Sequence, residues 1–452
     1  MKKKLILRYK GRKWHVDAPG REIFTRQWKG KPVNVILVKP KGVLSNALQQ
    51  FNLENRMQSY RKIRGLNNVY ELMFDEMSPA KLHDLTDAYY RTGLVDFAEV
   101  RFRQTVAMQP VPKKTNDFLE EIPLNAIDTN EAGEQWLNDE FYTQQWIFEN
   151  EGPFLGPRIK DALMEISRRN DIRLDPDIIV AVLDQGVDTN HIEFQKAGLI
   201  RDPFYVIGSN QQPKNTNHHG TMIAGVISAI QNNQRGIAGI NPYCKIMPGR
   251  IYYDNTANAS KMAAGIYKAL ENHARVLNLS WAIPAETVVI DAISYAVEKG
   301  VLIVAAAGNY EKTGKNNSVR FPGSLDEVLT VGAHDQYGKW INLSNSPSDN
   351  KFGSCFGREV DISAPGISIS TTGNDNTFTH RFCGTSAAAA VVSAIAALVW
   401  AIKPDLPADE IKSILFSTAD KVTDEGTPTY IFDRYGHGRV NCLNAVKKVL
   451  DL

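Results

Sequence analysis

The chain has 452 residues, about three times the ~150 typical of one domain, which leaves room for one large domain and smaller ones. Hydrophobic residues make up 43% and charged residues 23%, a balance that excludes a disordered, collagen-like or disulfide-scaffold protein. Net charge is only +2, so the whole molecule has no electrostatic claim on nucleic acid. That charge is unevenly placed. Residues 1–115 hold 23 Lys and Arg against 10 Asp and Glu, a net +13, and the rest of the chain carries −11.

Met1 and three lysines precede the apolar Leu5-Ile6-Leu7, which stops at Arg8. That is short of the roughly 7–15 apolar residues of a secretory signal. The expected location is cytoplasmic; a secreted chain whose signal had been removed would read the same. Residues 1–30 match no recognisable element. Next come the strand Val33–Val38, the helix Ser45–Leu53, the strand Val69–Phe74, the helix Pro79–Arg91 and the strand Val95–Phe102. Two strand–helix passages of this kind predict a small α+β domain of split βαβ type over 31–104. Residues 105–137, with Pro110, Pro112 and the acidic Glu120-Glu121, read as an exposed linker.

From 138 to 452 apolar strands alternate with helices. The strands are Ile178–Leu183, Val276–Leu279, Val301–Ala305 and Val328–Val331. The helices are Thr221–Ile230, Lys261–Asn272, Val288–Glu298 and Ala387–Ile402. This alternation predicts an α/β domain, a mainly parallel sheet with helices on both faces. The uncharged run Cys383–Ile402 approaches bilayer-spanning length, but Gly384, Thr385, Ser386 and Ser393 among its alanines mark a buried helix. No membrane partner is expected. The four cysteines, Cys244, Cys355, Cys383 and Cys442, suit a reducing compartment, where they pack as small apolar residues.

Ligands of parallel sheets sit at the carboxyl ends of the strands. Three residues satisfy that criterion. Asp184 directly follows the first strand; His219 opens a helix in His219-Gly220-Thr221; Ser386 opens the alanine-rich helix in Gly384-Thr385-Ser386. Taken singly, these are also what a turn aspartate and two helix caps look like. A hydroxyl at the positive end of a buried helix can be a nucleophile whose anionic intermediate meets waiting N–H groups, provided that a base activates it.

In chain order the three read Asp…His…Ser, and the surrounding motifs resemble those of the subtilisin-like serine proteases. Asp184-Gln185-Gly186-Val187-Asp188 is similar to the family's aspartate motif, and His219-Gly220-Thr221-Met222-Ile223-Ala224-Gly225 to its histidine motif. Ala305-Ala306-Ala307-Gly308-Asn309 is similar to its oxyanion segment, and Gly384-Thr385-Ser386-Ala387-Ala388 to its serine motif. Weaker matches extend the likeness over about 138–450.

The resemblance implies a serine endopeptidase acting on a protein or peptide, with Ser386 as nucleophile, His219 as base, Asp184 as orienting acid and Asn309 as oxyanion donor. No cofactor is needed for that chemistry. It also implies a substrate cleft formed by Ser280, Trp281, Ala282, Ala307, Gly308 and Arg320. Glu193, Asn232 and Asn233 fall where the family binds a structural calcium. The N-terminal α+β domain falls where the family carries a pro-domain that inhibits its own enzyme, which implies a zymogen cut within 104–137.

Several positions depart from the family pattern. Ala390 replaces a proline, Cys383 a serine or glycine, and Ala282 a glycine. Arg320 stands where broad-specificity members have a small or neutral residue, so it implies a taste for Asp or Glu before the cleaved bond. The alternative is that its guanidinium turns to solvent or to a surface acid. With such a taste, Asp117, Glu120, Glu121 or Asp128 could precede the processing cut. Two other readings use the same residues: a transamidase or ester hydrolase, and a catalytically silent binding module derived from a protease.

Overall fold

The computed structural model describes residues 5–9, 12–16, 32–105 and 136–452. Within the last two ranges it omits 43–44, 56, 64–65, 67, 75–76, 78, 103, 150–153, 170–171, 207–217, 254–255, 312–316, 348–350 and 424–431. Asp117, Glu120, Glu121 and Asp128 lie outside the described residues. The chain forms two compact units, Met1–Arg61 with Glu71–Arg103, and Lys62–Tyr70 with Gln104–Leu452. Within the first 30 residues, Leu5–Tyr9 and Arg12–Val16 pair as an antiparallel hairpin, an element that residue types alone did not suggest.

The N-terminal sheet has four strands in the order Met57–Lys62, Tyr70–Phe74, Pro32–Pro40, Val95–Phe102. The helix Asn46–Glu54 follows the strand Pro32–Pro40, and the helix Pro79–Arg91 leads into Val95–Phe102. Pro32–Pro40 and Val95–Phe102 are antiparallel neighbours, with Val38 opposite Ala98. This is the split βαβ arrangement. Ile36, Leu37, Leu48, Leu72, Leu82 and Phe97 are buried, and Tyr89 of one helix donates its hydroxyl to Asn52 of the other. The strand Met57–Lys62 escapes sequence reading because Gln58, Ser59, Arg61 and Lys62 leave no apolar alternation.

The larger unit is built on seven parallel strands. Their order is Ile362–Pro365, Leu329–His334, Leu302–Ala306, Val276–Leu279, Ile179–Asp184, Lys245–Arg250, Phe204–Tyr205. A parallel sheet must be covered on both faces, which explains why Ile179–Asp184 and Leu329–His334 are buried at every position. Lys245–Arg250 is the strand that apolar patterning misses. Pro248 and Gly249 within it argue against a strand, yet its outer neighbour Phe204–Tyr205 reaches only Gly249 and Arg250, so the missing Pro248 N–H lies beyond that pairing.

The helix Thr385–Ile402 crosses the middle of the sheet, against the strands Ile179–Asp184, Val276–Leu279, Leu302–Ala306, Leu329–His334 and Ile362–Pro365. Every residue from Thr385 to Ala401 is buried. Its mean hydropathy of 2.0 and its length would suit a membrane span, but 94% of it is enclosed by the protein. The alanines let the helix lie close to the strands beneath it. Ala394→Leu at the centre of this contact should destabilise the protein by about 1–3 kcal/mol through overpacking. Calorimetry should show a fall of several degrees in Tm; an unchanged Tm would mean that the helix has room to spare.

Candidate active site

Asp184 is the last residue of its strand, and both His219 and Ser386 begin helices that meet the same end of the sheet. The Nδ1 of His219 lies 2.9 Å from Asp184 Oδ2, and both side chains are almost wholly buried, at 0% and 1% exposure. Asp184 Oδ1 accepts a second hydrogen bond from the Gln185 N–H at 2.8 Å. The Tyr252 hydroxyl donates a third to the same carboxylate. That carboxylate fixes the proton of the imidazole on Nδ1 and leaves Nε2 the acceptor.

Glycine is needed after the histidine. A Cβ on Gly220 would lie 2.1 Å from Gly186 O, so the helix could not approach the aspartate turn with any side chain there. The start of that helix is also tied sideways. Thr221 Oγ1 accepts from Asp188 N and donates to Asn374 Oδ1, and Thr372 Oγ1 donates to Thr221 O. Phe382 packs edge-on to the His219 ring, with centroids 5.8 Å apart.

Ser386 is the second residue of its helix, behind Gly384, whose φ of 110° favours glycine. Its hydroxyl donates to Ser280 O at 3.2 Å, and Ser280 Oγ donates to Asn278 Oδ1 (2.8 Å) with Ser386 O as a second acceptor within reach of the same proton (3.3 Å). The serine is thereby laced to the end of the strand Val276–Leu279. Trp281, one residue further on, donates its indole N–H to Leu183 O at 3.0 Å, joining that strand to the aspartate strand. Among the described hydrogen bonds, none yet joins Ser386 Oγ to His219. Such contacts are often loose without substrate.

Asn309 accepts at Oδ1 from the Thr385 N–H (3.1 Å) and from Thr385 Oγ1 (3.2 Å), while Thr385 Oγ1 accepts from the Gly308 N–H. With the oxygen held by Thr385, the carboxamide N–H₂ is turned the other way. Asn309, Ser386 and Thr385 line one small cleft with Ser280, Trp281, Ala282, Gly308 and Arg320. Ala306 also lines it, but Ala307 does not. The sequence placed Ala307 in the cleft; instead it is buried against Cys355 and Val360 and turns only its carbonyl to the Arg320 N–H. Thr385 and Ala306 were missed, because only the fold shows which neighbours of a motif face inward.

Arg320 does not turn away. Its aliphatic stem lies on Gly308, where an added Cβ would come within 2.7 Å of Cδ, and its guanidinium hydrogen-bonds the buried Cys355 thiol. Burial pushes the pKa of that thiol up, and the nearby positive charge opposes the rise.

A family model described as the subtilase family matches residues 175–438, more than half of the chain. The chain belongs to the subtilase family. It is 34% identical over 270 residues to the thermophilic serine proteinase of Bacillus sp. (strain AK1), covering 59% of this chain and 61% of that one. To thermitase of Thermoactinomyces vulgaris it is 33% identical over 272 residues, covering 59% and 88%. The chain thus spans less than two thirds of the first relative and most of the second. Among solved structures, fervidolysin from Fervidobacterium pennivorans, a keratinolytic enzyme related to subtilisin, aligns with a TM-score of 0.67. The alignment covers 93% of this chain and 61% of that one at 21% identity, a likeness of fold.

The predicted calcium ligands of this subtilase are close together but already occupied. Glu193 accepts from Asn233 Nδ2 at 2.9 Å and from the Ile237 N–H at 3.3 Å. Asn233 Oδ1 accepts from the Arg235 N–H, and Asn232 Oδ1 from the Asn138 N–H. Asp139 adds acceptors for the N–H groups of Asn232 and Asn233. Among the described residues no group of three His, Cys, Asp or Glu side chains could hold a metal. A hard cation takes six to eight oxygens, and as hydrogen-bonded here these side chains are committed to one another and to backbone N–H groups. They close the loop by themselves.

Burial pushes the Glu193 carboxyl up to about 8, against the Asn233 hydrogen bond that favours its charge. A carboxyl whose folded pKa lies above its unfolded one stabilises most when protonated, and that contribution fades as pH rises from about 4.5 to 8. Tm should therefore fall over this range by more in the native protein than in Glu193→Gln, as read by calorimetry. EDTA should leave Tm unchanged. A fall of several degrees on chelation would restore the calcium reading.

Proposed function

We propose that the chain is a serine endopeptidase that cleaves peptide bonds through an acyl-enzyme. The observation that carries this reading is the buried Asp184–His219 hydrogen bond, set at the same sheet end as the Ser386 helix. His219 Nε2 takes the Ser386 proton as Oγ attacks the carbonyl, then returns it to the leaving amine. Asp184 holds the tautomer and stabilises the imidazolium. The oxyanion meets the Asn309 carboxamide and the N–H of Ser386 at the positive end of its helix. Water then releases the acyl group.

Arg320 at the cleft supports an acidic residue before the cleaved bond, since a guanidinium binds a carboxylate by charge-assisted hydrogen bonds. A zymogen is supported by charge and by one short pairing. Gln104–Thr105 pairs antiparallel with Thr256–Ala257, six residues beyond Arg250, which is in register with Asp184. An antiparallel pairing of this kind is how an extended peptide docks on a strand edge. The basic N-terminal part and acidic remainder would attract each other within the roughly 8–10 Å that salt allows. We infer that the N-terminal domain inhibits the enzyme until the linker is cut.

A fluorophosphonate should label native protein and not Ser386→Ala, and mass spectrometry should show Ser386→Ala uncut while native protein loses its N-terminal part. No labelling would leave a silent binding module; products that gain no water would indicate transfer. Asn309→Ala should lose about 10²–10³ in kcat, the size of one oxyanion donor. In a set of peptides bearing Glu, Phe or Lys before the scissile bond, native enzyme should favour Glu and Arg320→Ser should lose that preference. Equal cleavage of the Phe peptide by native enzyme would refute it.

A further inference from the structure

Tyr252 is a fully enclosed side chain that the chemistry above leaves without a task. It lies two residues beyond the strand Lys245–Arg250, whose last residue is in register with Asp184. The intervening Ile251 donates its N–H to Asp184 O at 2.9 Å. The chain is thus fastened to the aspartate by its backbone, and the next residue delivers a phenol hydroxyl to the carboxylate. A buried carboxylate without enough donors is costly to keep charged. Here Gln185, His219 and Tyr252 supply donors from three different segments.

We propose that Tyr252 is a positioning residue of the catalytic system, acting through Asp184 to orient the His219 imidazole and to moderate its basicity. This rests on the triad reading. The hydroxyl does two things. It holds the carboxylate plane against rotation, so that Oδ2 stays aimed at Nδ1. It also draws negative charge toward itself, so the carboxylate stabilises imidazolium less than a carboxylate with fewer donors would. The phenol remains protonated, because burial and the adjacent carboxylate both push its pKa up. It therefore tunes without exchanging a proton.

Other ionisable groups near the pair have partners of their own. Arg250 lays its guanidinium over the Tyr253 ring, 4.8 Å from its centroid. His218 accepts from the Asn374 N–H and senses Asp375 and Asp188, and Asp188 accepts from the N–H groups of Asn190 and Asp375.

The test is Tyr252→Phe, which keeps the ring and removes the donor. In a Ser386→Ala background, NMR titration of His219 should show its pKa rising by about half to one unit, roughly a three- to tenfold change in proton affinity. This readout needs no turnover, so it stands apart from the triad reading, which fluorophosphonate labelling tests. In the active enzyme, kcat should fall several-fold with KM nearly constant, and the acid limb of kcat/KM should move up in pH. Tyr252→Phe added to Asp184→Asn should have no further effect on kcat. Should Tyr252→Phe fold poorly, 3-fluorotyrosine placed at 252 strengthens the donor and should move the His219 pKa down. An unmoved imidazole pKa in either variant, or equal kcat losses with and without the Asp184 carboxylate, would overturn the proposal. Tyr253→Phe, altering an exposed neighbour, serves as the control.

Discussion

A carboxylate with 1% exposure, held against an imidazole with none, sets the demands on this architecture. Sealing a charge from water is unfavourable unless donors surround it, and the electrostatic benefit of the low dielectric comes only with that satisfaction. Each donor comes from a different place: the residue after the strand, the first residue of a helix, and the segment beyond the adjacent strand. The parallel sheet makes this possible, because it delivers several chain turns to one edge. Gly220 is the steric counterpart of this electrostatic requirement, since the helix must come close enough for the imidazole to reach.

The second half of the site is assembled by smaller couplings. Ser280 bonds to Asn278 and to the Ser386 carbonyl, Trp281 to the Leu183 carbonyl, and Thr385 to Asn309. Ser386, Asn309 and the cleft wall are therefore not independently placed. Arg320 is placed by the same logic: its stem needs the bare Cα of Gly308, and its head is held by Cys355. Preorganisation of the cleft and of the chemistry draws on the same few backbone positions.

Much of this was legible in the sequence, for identifiable reasons. Strands such as Ile179–Asp184 and Leu302–Ala306 are apolar because two covered faces leave no polar position, and Asp184, His219 and Ser386 stand out against that background. The roles of Asn309 and Arg320 came from family resemblance, since an Asn after a strand looks like any turn. Lys245–Arg250 was hidden by Pro248, tolerated only because the neighbouring edge strand is two residues long. Tyr252 carried no local signal, as its importance lies in a through-space hydrogen bond to a residue 68 positions earlier. Glu193, Asn232 and Asn233 are ambiguous for a chemical reason: oxygen-bearing side chains that can ligate a cation can equally satisfy one another and nearby N–H groups.

The enclosed helix Thr385–Ile402 has a consequence for how such a protein fails. Amide hydrogens from about Ala389 to Val399 can exchange with solvent only when the centre of the molecule opens, because nothing short of that exposes them. The backbone of Ser386 belongs to the same helix and stays fixed until that opening occurs, while its side chain faces the cleft. For the segment that carries Ser386, loosening and loss of the native state become a single cooperative event.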